Sequence, residues 1–102
     1  MIHVLAIVTT QPGQRAVVLE RFRANVPNVR AEAGCIEYEA TVDALPALQF
    51  QTELGLDTFA VVEKWESIAA LEAHLAAPHM AAYAASVKEL IASRAIHVLT
   101  VA

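Results

Sequence analysis

Two hydrophobic periodicities alternate along this chain of 102 residues. A period of two, with many β-branched side chains, predicts strands at residues 2–9, 35–42, 58–66 and 93–101. Apolar side chains spaced three and four apart predict helices at residues 12–33, at residues 67–76 and in a segment that begins at Pro78. Residues 43–56 show little period and are predicted to form a loop, with a short extended piece at residues 48–52 as the alternative. The predicted order is β-α-β-β-α-β, with the second helix in two pieces.

Local signals refine the helices. Pro27 lies inside the first helical segment, where a proline removes a hydrogen bond and crowds the preceding turn, so we expect a kink or break near Asn25 or Val26. Gly34 suits the end of that helix. Ser67 is expected to cap the next helix by accepting a hydrogen bond from a free backbone amide.

The element order predicts an α+β, ferredoxin-like fold, in which an antiparallel four-stranded sheet carries both helices on one face. Residues 58–66 nevertheless have apolar side chains on both faces, Val61 and Trp65 on one and Ala60 and Val62 on the other. The matching face of a second copy would cover the helix-free side, since a two-fold contact closes on itself. We therefore expect a homodimer that forms an α/β barrel.

Composition excludes several functions. Residues 1–102 are expected to form a single domain, and a net charge of −4 argues against a nucleic-acid partner. The longest apolar runs fall short of a membrane span and no signal peptide is recognisable, so no membrane insertion and a cytoplasmic location are expected. One cysteine excludes an internal disulfide, and three isolated glycines offer no phosphate-binding loop for NAD, flavin or a nucleotide.

The segment from Glu63 to Tyr83 contains the only tryptophan and two of the four histidines. Helical spacing places His74 beside Leu75 on the buried side, facing the strand that carries Trp65 and Glu63. A histidine in an apolar pocket is a candidate base for a weakly acidic hydroxyl, and His79 is a second candidate. The alternative for each ring is a structural role, hydrogen-bonded to backbone.

Aromatic residues near these histidines would suit a planar ligand. Phe59, Tyr38 and Tyr83 are candidate substrate-binding walls together with Trp65. No metal is expected, because a metal needs three or four converging ligands and two histidines five apart across a helix break do not provide them.

Two motifs resemble the antibiotic biosynthesis monooxygenase (ABM) domain family. The first is RAEAGCIEY at residues 30–38, and the second is FAVVEKWES at residues 59–67, followed by Leu71, His74 and Pro78-His79. The resemblance covers essentially the whole chain and is strongest to the branch of small bacterial quinol monooxygenases. It implies a ferredoxin-like dimeric α/β barrel that oxygenates a quinol with O₂ and uses no cofactor. In this chemistry a base such as His74 deprotonates the quinol.

Sequence differences from other branches of the family argue against two of the family's reactions. Val61 and Leu71 occupy positions where polyketide-tailoring relatives have Asn and Tyr, which argues against anthrone-type substrates. Ala84 stands near the position of the haem-ligating histidine in haem-degrading relatives and cannot bind iron. Two alternatives stay open: isomerisation of a small phosphorylated hydroxy-ketone, and a non-enzymatic role as a dimeric small-molecule-binding or stress-response protein.

Overall fold

The computed structural model of the protein describes all residues from Met1 to Ala102. The four strands are β1 (Ile2–Thr10), β2 (Cys35–Thr41), β3 (Thr58–Trp65) and β4 (Ile91–Leu99). The three helices are α1 (Arg15–Arg30), α2 (Ile68–Leu75) and α3 (Pro78–Val87), and a single 3₁₀ turn at Lys88–Leu90 leads into β4. The predicted order, with a second helix in two pieces, is confirmed.

The strands form one antiparallel sheet in the order β2-β3-β1-β4. Val4 in β1 pairs with Glu63 on one side and Val98 on the other, so these three side chains share a face. That face carries the core, because its residues pack against buried side chains of all three helices. The predicted ferredoxin-like fold is confirmed.

Helix α1 runs without interruption through Pro27, so of the predicted kink or break near Asn25 or Val26 the break is wrong. The helix continues to Arg30, and the amide of Ala31 still donates to the Pro27 carbonyl at 3.2 Å. Proline costs least where its missing hydrogen bond leaves a carbonyl facing water, and Pro27 is on the exposed side of the helix. Val29, fully buried in the last turn of the helix, anchors this segment to the core.

Several predicted boundaries shift by a few residues. Helix α1 begins at Arg15 rather than at residue 12, because residues 11–14 form a turn in which Gly13 has a positive φ of 79°. Strand β4 lies two residues earlier than predicted, at Ile91–Leu99. Residues 42–57 contain neither helix nor strand, in agreement with the loop prediction.

The turn between α1 and β2 brings two helices' ends together. Gly34 adopts a positive φ of 82°, and a Cβ atom there would come within 2.6 Å of the Ala70 Cβ in the first turn of α2. Ser67 caps α2 as predicted, because its hydroxyl accepts a hydrogen bond of 3.1 Å from the Ala70 amide. The close approach of α2 to this turn positions the residues of the candidate site.

The opposite face of the sheet carries no helix. Its apolar side chains come from three strands: Leu5, Ile7, Ala60, Val62, Ala95 and Leu99. Leu99 is 48% exposed in the single chain. None of the helices combines the length and the apolar character that crossing a membrane requires.

Candidate active site

A cavity of about 190 Å³ lies between the sheet and the three helices. Most of its lining is aliphatic or aromatic, and only Glu63, His74 and Arg94 bring a charged or titratable polar group besides the two tyrosine hydroxyls. An apolar pocket with a few convergent polar groups is typical of small-molecule sites.

His74 lies in the last turn of α2 and faces the sheet, as helical spacing predicts. Its side chain is 2% exposed, and its ring centroid is 4.6 Å from that of Trp65 and 5.4 Å from that of Tyr38. His74 lines the cavity, and its Nε2 is neither hydrogen-bonded within the chain nor sealed from the surface. We therefore infer that Nε2 faces the cavity.

Glu32, which sequence reasoning did not single out, binds the other edge of that ring. Nδ1 of His74 donates to the two Glu32 carboxylate oxygens at 3.1 and 3.2 Å. Glu32 lies in the turn after α1, 42 residues away in sequence. Its position two residues before the positive-φ Gly34, within the motif RAEAGCIEY, was the only sequence signal for it.

His79, in the first turn of α3, contacts the same carboxylate. Its Nε2 is 2.7 Å from Oε1 of Glu32, although the N–H direction does not align with that oxygen well enough for a hydrogen bond. Nδ1 of His79 is 3.1 Å from the side-chain amide nitrogen of Asn25 in α1. Glu32 therefore lies between two imidazoles.

Glu63 and Trp65 form a buried pair on β3. Strand alternation turns both side chains to the helix face, and the Trp65 indole Nε1 donates to Oε1 of Glu63 at 2.9 Å. Burial raises the pKa of the Glu63 carboxyl, while the Trp65 hydrogen bond and the charge of His74 oppose that rise and the charge of Glu32 adds to it. A carboxyl group that ionises reluctantly thus lies beside the candidate base.

Tyr38 and Tyr83 supply the phenol groups of the cavity. The Tyr38 ring stacks on Phe22 with centroids 5.1 Å apart, and Tyr83 meets the same Phe22 ring edge-on at 6.1 Å. Burial, with a smaller contribution from the charge of Glu63, raises the pKa of Tyr38. Burial also raises the pKa of Tyr83, and the charge of Arg94 partly opposes it.

Arg94 is a second residue that sequence reasoning missed. It lies on β4 opposite Val8, on the helix face, and lines the cavity without an ion-pair partner among the salt bridges of the chain. The alternation of side chains along a strand could have indicated it, because Arg94, Ile96 and Val98 lie on one face of β4. Arg94 therefore adds an unpaired positive charge to the apolar lining of the cavity.

The structure brings most of the predicted site residues to one place. Five line the cavity: Tyr38, Phe59, Glu63, His74 and Tyr83. Trp65 is fully buried against His74 and does not line the cavity. His79 does not line the cavity either and contacts Glu32 instead. Whether these residues act in catalysis or substrate binding stays a prediction.

The donor set does not suit a metal ion. No group of three or more histidine, cysteine, aspartate or glutamate side chains has the arrangement that a metal site needs. Nδ1 of His74 is engaged by Glu32, and Nδ1 of His79 faces the amide of Asn25. These atoms hold one another rather than converging on a common point.

Comparison with known proteins identifies relatives of the same size. The chain is 43% identical over 101 residues to "Probable quinol monooxygenase YgiN" of Escherichia coli, a match that covers 97% of this chain and 96% of that protein. Among solved structures, the protein PA3566 of Pseudomonas aeruginosa superposes with a TM-score of 0.77 at 28% identity, covering 96% of this chain and 90% of that one.

A third relative, Rv0793 of Mycobacterium tuberculosis, superposes with a TM-score of 0.78 at 25% identity, covering 99% of this chain and 94% of that one. The sequence profile of the family described as "Antibiotic biosynthesis monooxygenase" matches residues 1–86. That match contains β1 to β3, α1, α2 and nearly all of α3, and with them every residue of the site described above except Arg94 on β4. The chain belongs to the antibiotic biosynthesis monooxygenase family.

Proposed function

We propose that this protein is a cofactor-independent monooxygenase that oxidises a quinol, or a similar planar phenol, with O₂. The observation that carries the proposal is His74: a buried imidazole with one nitrogen bound to Glu32 and the other open to an apolar cavity. An imidazole held in this way is suited to remove a proton from a bound hydroxyl. The name of the E. coli relative supports the choice of a quinol.

The size of the cavity supports a small planar ligand. Its volume of about 190 Å³ exceeds the ~150 Å³ of an engineered protein cavity that binds benzene. It falls below the ~300 Å³ at which drug-sized pockets begin. One or two fused rings match this space, and Phe59, Tyr38 and Tyr83 supply flat walls for them.

The reaction would proceed by proton transfer, electron transfer, radical combination and loss of water. Nε2 of His74 takes a proton from the quinol, and the quinolate passes one electron to O₂, giving a semiquinone and superoxide. The two radicals combine into a C–O bond at a ring carbon, and the peroxide anion takes the proton back from His74. Loss of water from this hydroperoxide leaves a hydroxylated quinone, so one O₂ yields one product and one water.

The cavity walls favour each step by excluding water and by placing charge. Apolar walls leave the quinolate poorly solvated, which raises its readiness to give up an electron. Arg94, the free cation of the lining, would stabilise the anions that form. No step uses a metal or an organic cofactor, in agreement with a sequence that lacks a nucleotide- or flavin-binding motif.

The direct test is O₂ consumption by metal-free protein. Chelator-treated protein is mixed with a chemically reduced naphthoquinone, O₂ uptake is followed with an electrode, and the product is weighed by mass spectrometry under ¹⁸O₂. The expected result is uptake well above the buffer rate and one ¹⁸O atom in the quinone. Uptake at the buffer rate with a panel of one- and two-ring quinols would contradict the proposal.

Arg94 also favours a second candidate, the isomerisation of a phosphorylated hydroxy-ketone. That reaction needs a cation for the phosphate and a base that moves a proton between neighbouring carbons, roles for which Arg94 and His74 are available. A single arginine without a glycine-rich loop or helix N-terminus is a weak phosphate site, so this candidate ranks second. Proton exchange from such a ketone into D₂O, without O₂ uptake, would favour it over the monooxygenase.

We also propose that the working form is a cytoplasmic homodimer in which two sheets pack through their helix-free faces. The apolar side chains of that face, among them Leu5, Val62 and Leu99, support this arrangement because water would otherwise contact them. Light scattering coupled to size exclusion should give twice the chain mass of 11.0 kDa. Val62→Lys should shift it to monomer, and a wild-type monomer would rule out this assembly.

A further inference from the structure

We infer that Glu32 is a positioning residue that fixes the proton of His74 on Nδ1, and that His79 acts through Glu32 rather than on the substrate. The inference rests on the proposed function for its kinetic consequences, but its structural content stands on the contacts alone.

The side-chain amide of Asn25 determines which ring nitrogen of His79 carries a proton. Its Oδ1 accepts from the side chain of Asn28 at 3.0 Å, so the nitrogen must point the other way, toward Nδ1 of His79 at 3.1 Å and the sulfur of Met80 at 3.5 Å. An amide nitrogen only donates, so Nδ1 of His79 accepts. The proton of a neutral His79 ring is then on Nε2, 2.7 Å from Glu32.

The carboxylate of Glu32 determines which ring nitrogen of His74 carries a proton. Both oxygens of Glu32 are within 3.2 Å of Nδ1 of His74, and a carboxylate only accepts, so Nδ1 carries the proton. The remaining nitrogen, Nε2, is then free of a proton and open to the cavity, which is the state a base requires. The same carboxylate stabilises the imidazolium that forms when Nε2 takes a proton, as the buried aspartate does in the serine-protease triad.

His79 completes the arrangement by holding Glu32. Its Nε2 is sealed from solvent, and Glu32 Oε1 is the acceptor within reach, so a small rotation of either group would close a hydrogen bond. His79 does not line the cavity and has no route to the substrate except through Glu32. It should therefore affect turnover only while Glu32 is present.

The central test replaces the carboxylate by its amide. Glu32→Gln keeps the shape but offers either a donor or an acceptor to Nδ1, so His74 loses its fixed proton. Turnover should fall by about 100-fold or more, as loss of the orienting carboxylate does in triads. Glu20→Gln, the same change at an exposed position of α1, should stay within about twofold.

Imidazole ¹⁵N chemical shifts provide a readout that needs no substrate. In the wild type, His74 should show a protonated Nδ1 and an unprotonated Nε2, and in Glu32→Gln the two forms should mix. Mixed forms in the wild type would overturn the inference even if turnover is high. The expected shifts together with absent quinol oxidation would instead reject the proposed function and leave the inference standing.

A double-mutant cycle separates positioning from direct action. His79→Ala should lower turnover about 3- to 10-fold in the wild type and add nothing to Glu32→Gln, since residues that act through one another are not additive. Multiplicative losses would show that His79 acts on its own and would overturn its assigned role. If Glu32→Gln does not fold, Glu32→Asp keeps an acceptor one methylene further away and should give an intermediate loss with the His74 proton still on Nδ1.

Discussion

The two ends of the cavity differ in burial and in chemistry. At the end formed by β2, β3 and α2, called here the closed end, His74 and Glu63 are 2% and 7% exposed, and each makes a hydrogen bond with another side chain. At the end formed by β4, called here the open end, Ile96 and Val98 are 55% and 50% exposed and Arg94 has no ion-pair partner.

This difference indicates a division of roles. Buried polar groups with fixed partners are suited to chemistry, because their orientation is already set before the substrate arrives. Exposed apolar groups beside a free cation are suited to admitting and holding a ligand. Changes at the closed end should therefore affect kcat and stability, whereas changes at the open end should affect KM.

The largest effect is expected from removing the candidate base. His74→Ala should lower kcat with a reduced naphthoquinone by about 100-fold or more, since general bases contribute that much. Glu72→Ala, on the exposed side of the same helix, is the control and should leave kcat within about twofold. Equal rates for the two variants would remove His74 from the mechanism.

The second effect concerns the turn that supports the closed end. Gly34→Ala should lower the free energy of unfolding by about 2–3 kcal/mol, because a positive φ and the 2.6 Å approach to Ala70 both oppose a side chain there. Gly13→Ala shares the positive φ but meets nothing within 4 Å, so about 1 kcal/mol is expected. Urea denaturation of both variants checks this. Equal losses would mean that the contact with α2 contributes nothing.

At the open end, Ile96→Ser should raise KM about fivefold and change kcat little. The side chain is half exposed, so its contact with a ligand is worth about 1 kcal/mol, less than a fully buried isoleucine. Val101→Ser, beyond the end of β4, serves as the control. A fall in kcat at constant KM would show that the open end takes part in the chemistry.

The smallest expected effect is a change in the free energy of unfolding with pH. Because the pKa of Glu63 is raised, the folded chain holds more protons than the unfolded chain between the ordinary carboxyl range and the raised value. The free energy of unfolding therefore falls as pH rises through that window and levels off above it. Glu63→Gln, which can still accept from Trp65, should remove this part of the slope.

Chemical denaturation of both proteins from about pH 4 to about pH 7 measures that difference, since this range covers the ordinary carboxyl pKa and the values above it. The wild type should lose stability relative to Glu63→Gln as pH rises. Parallel curves would show that burial of Glu63 has no consequence for folding.

Sequence periodicity predicted the strands, the helices and the orientation of the His74 side chain toward the sheet, because these follow from local spacing. It missed Glu32, since that residue lies in a turn without period and meets His74 only when α2 packs beside Gly34. From Pro27 it also predicted a kink or break near Asn25 or Val26, whereas the helix continues to Arg30 with Val29 buried in the core. Local rules predict elements and faces, but contacts between residues far apart in sequence need the fold.

Deprotonation of the substrate by His74 can be observed in the absorption spectrum of a bound quinol without O₂. A reduced naphthoquinone is added under strict anaerobic conditions at neutral pH to wild-type protein and to His74→Ala. The expected spectrum is that of the quinolate anion, one per chain, with the wild type and that of the neutral quinol with the variant. A neutral quinol bound to the wild type, or an equal amount of anion in both, would contradict it.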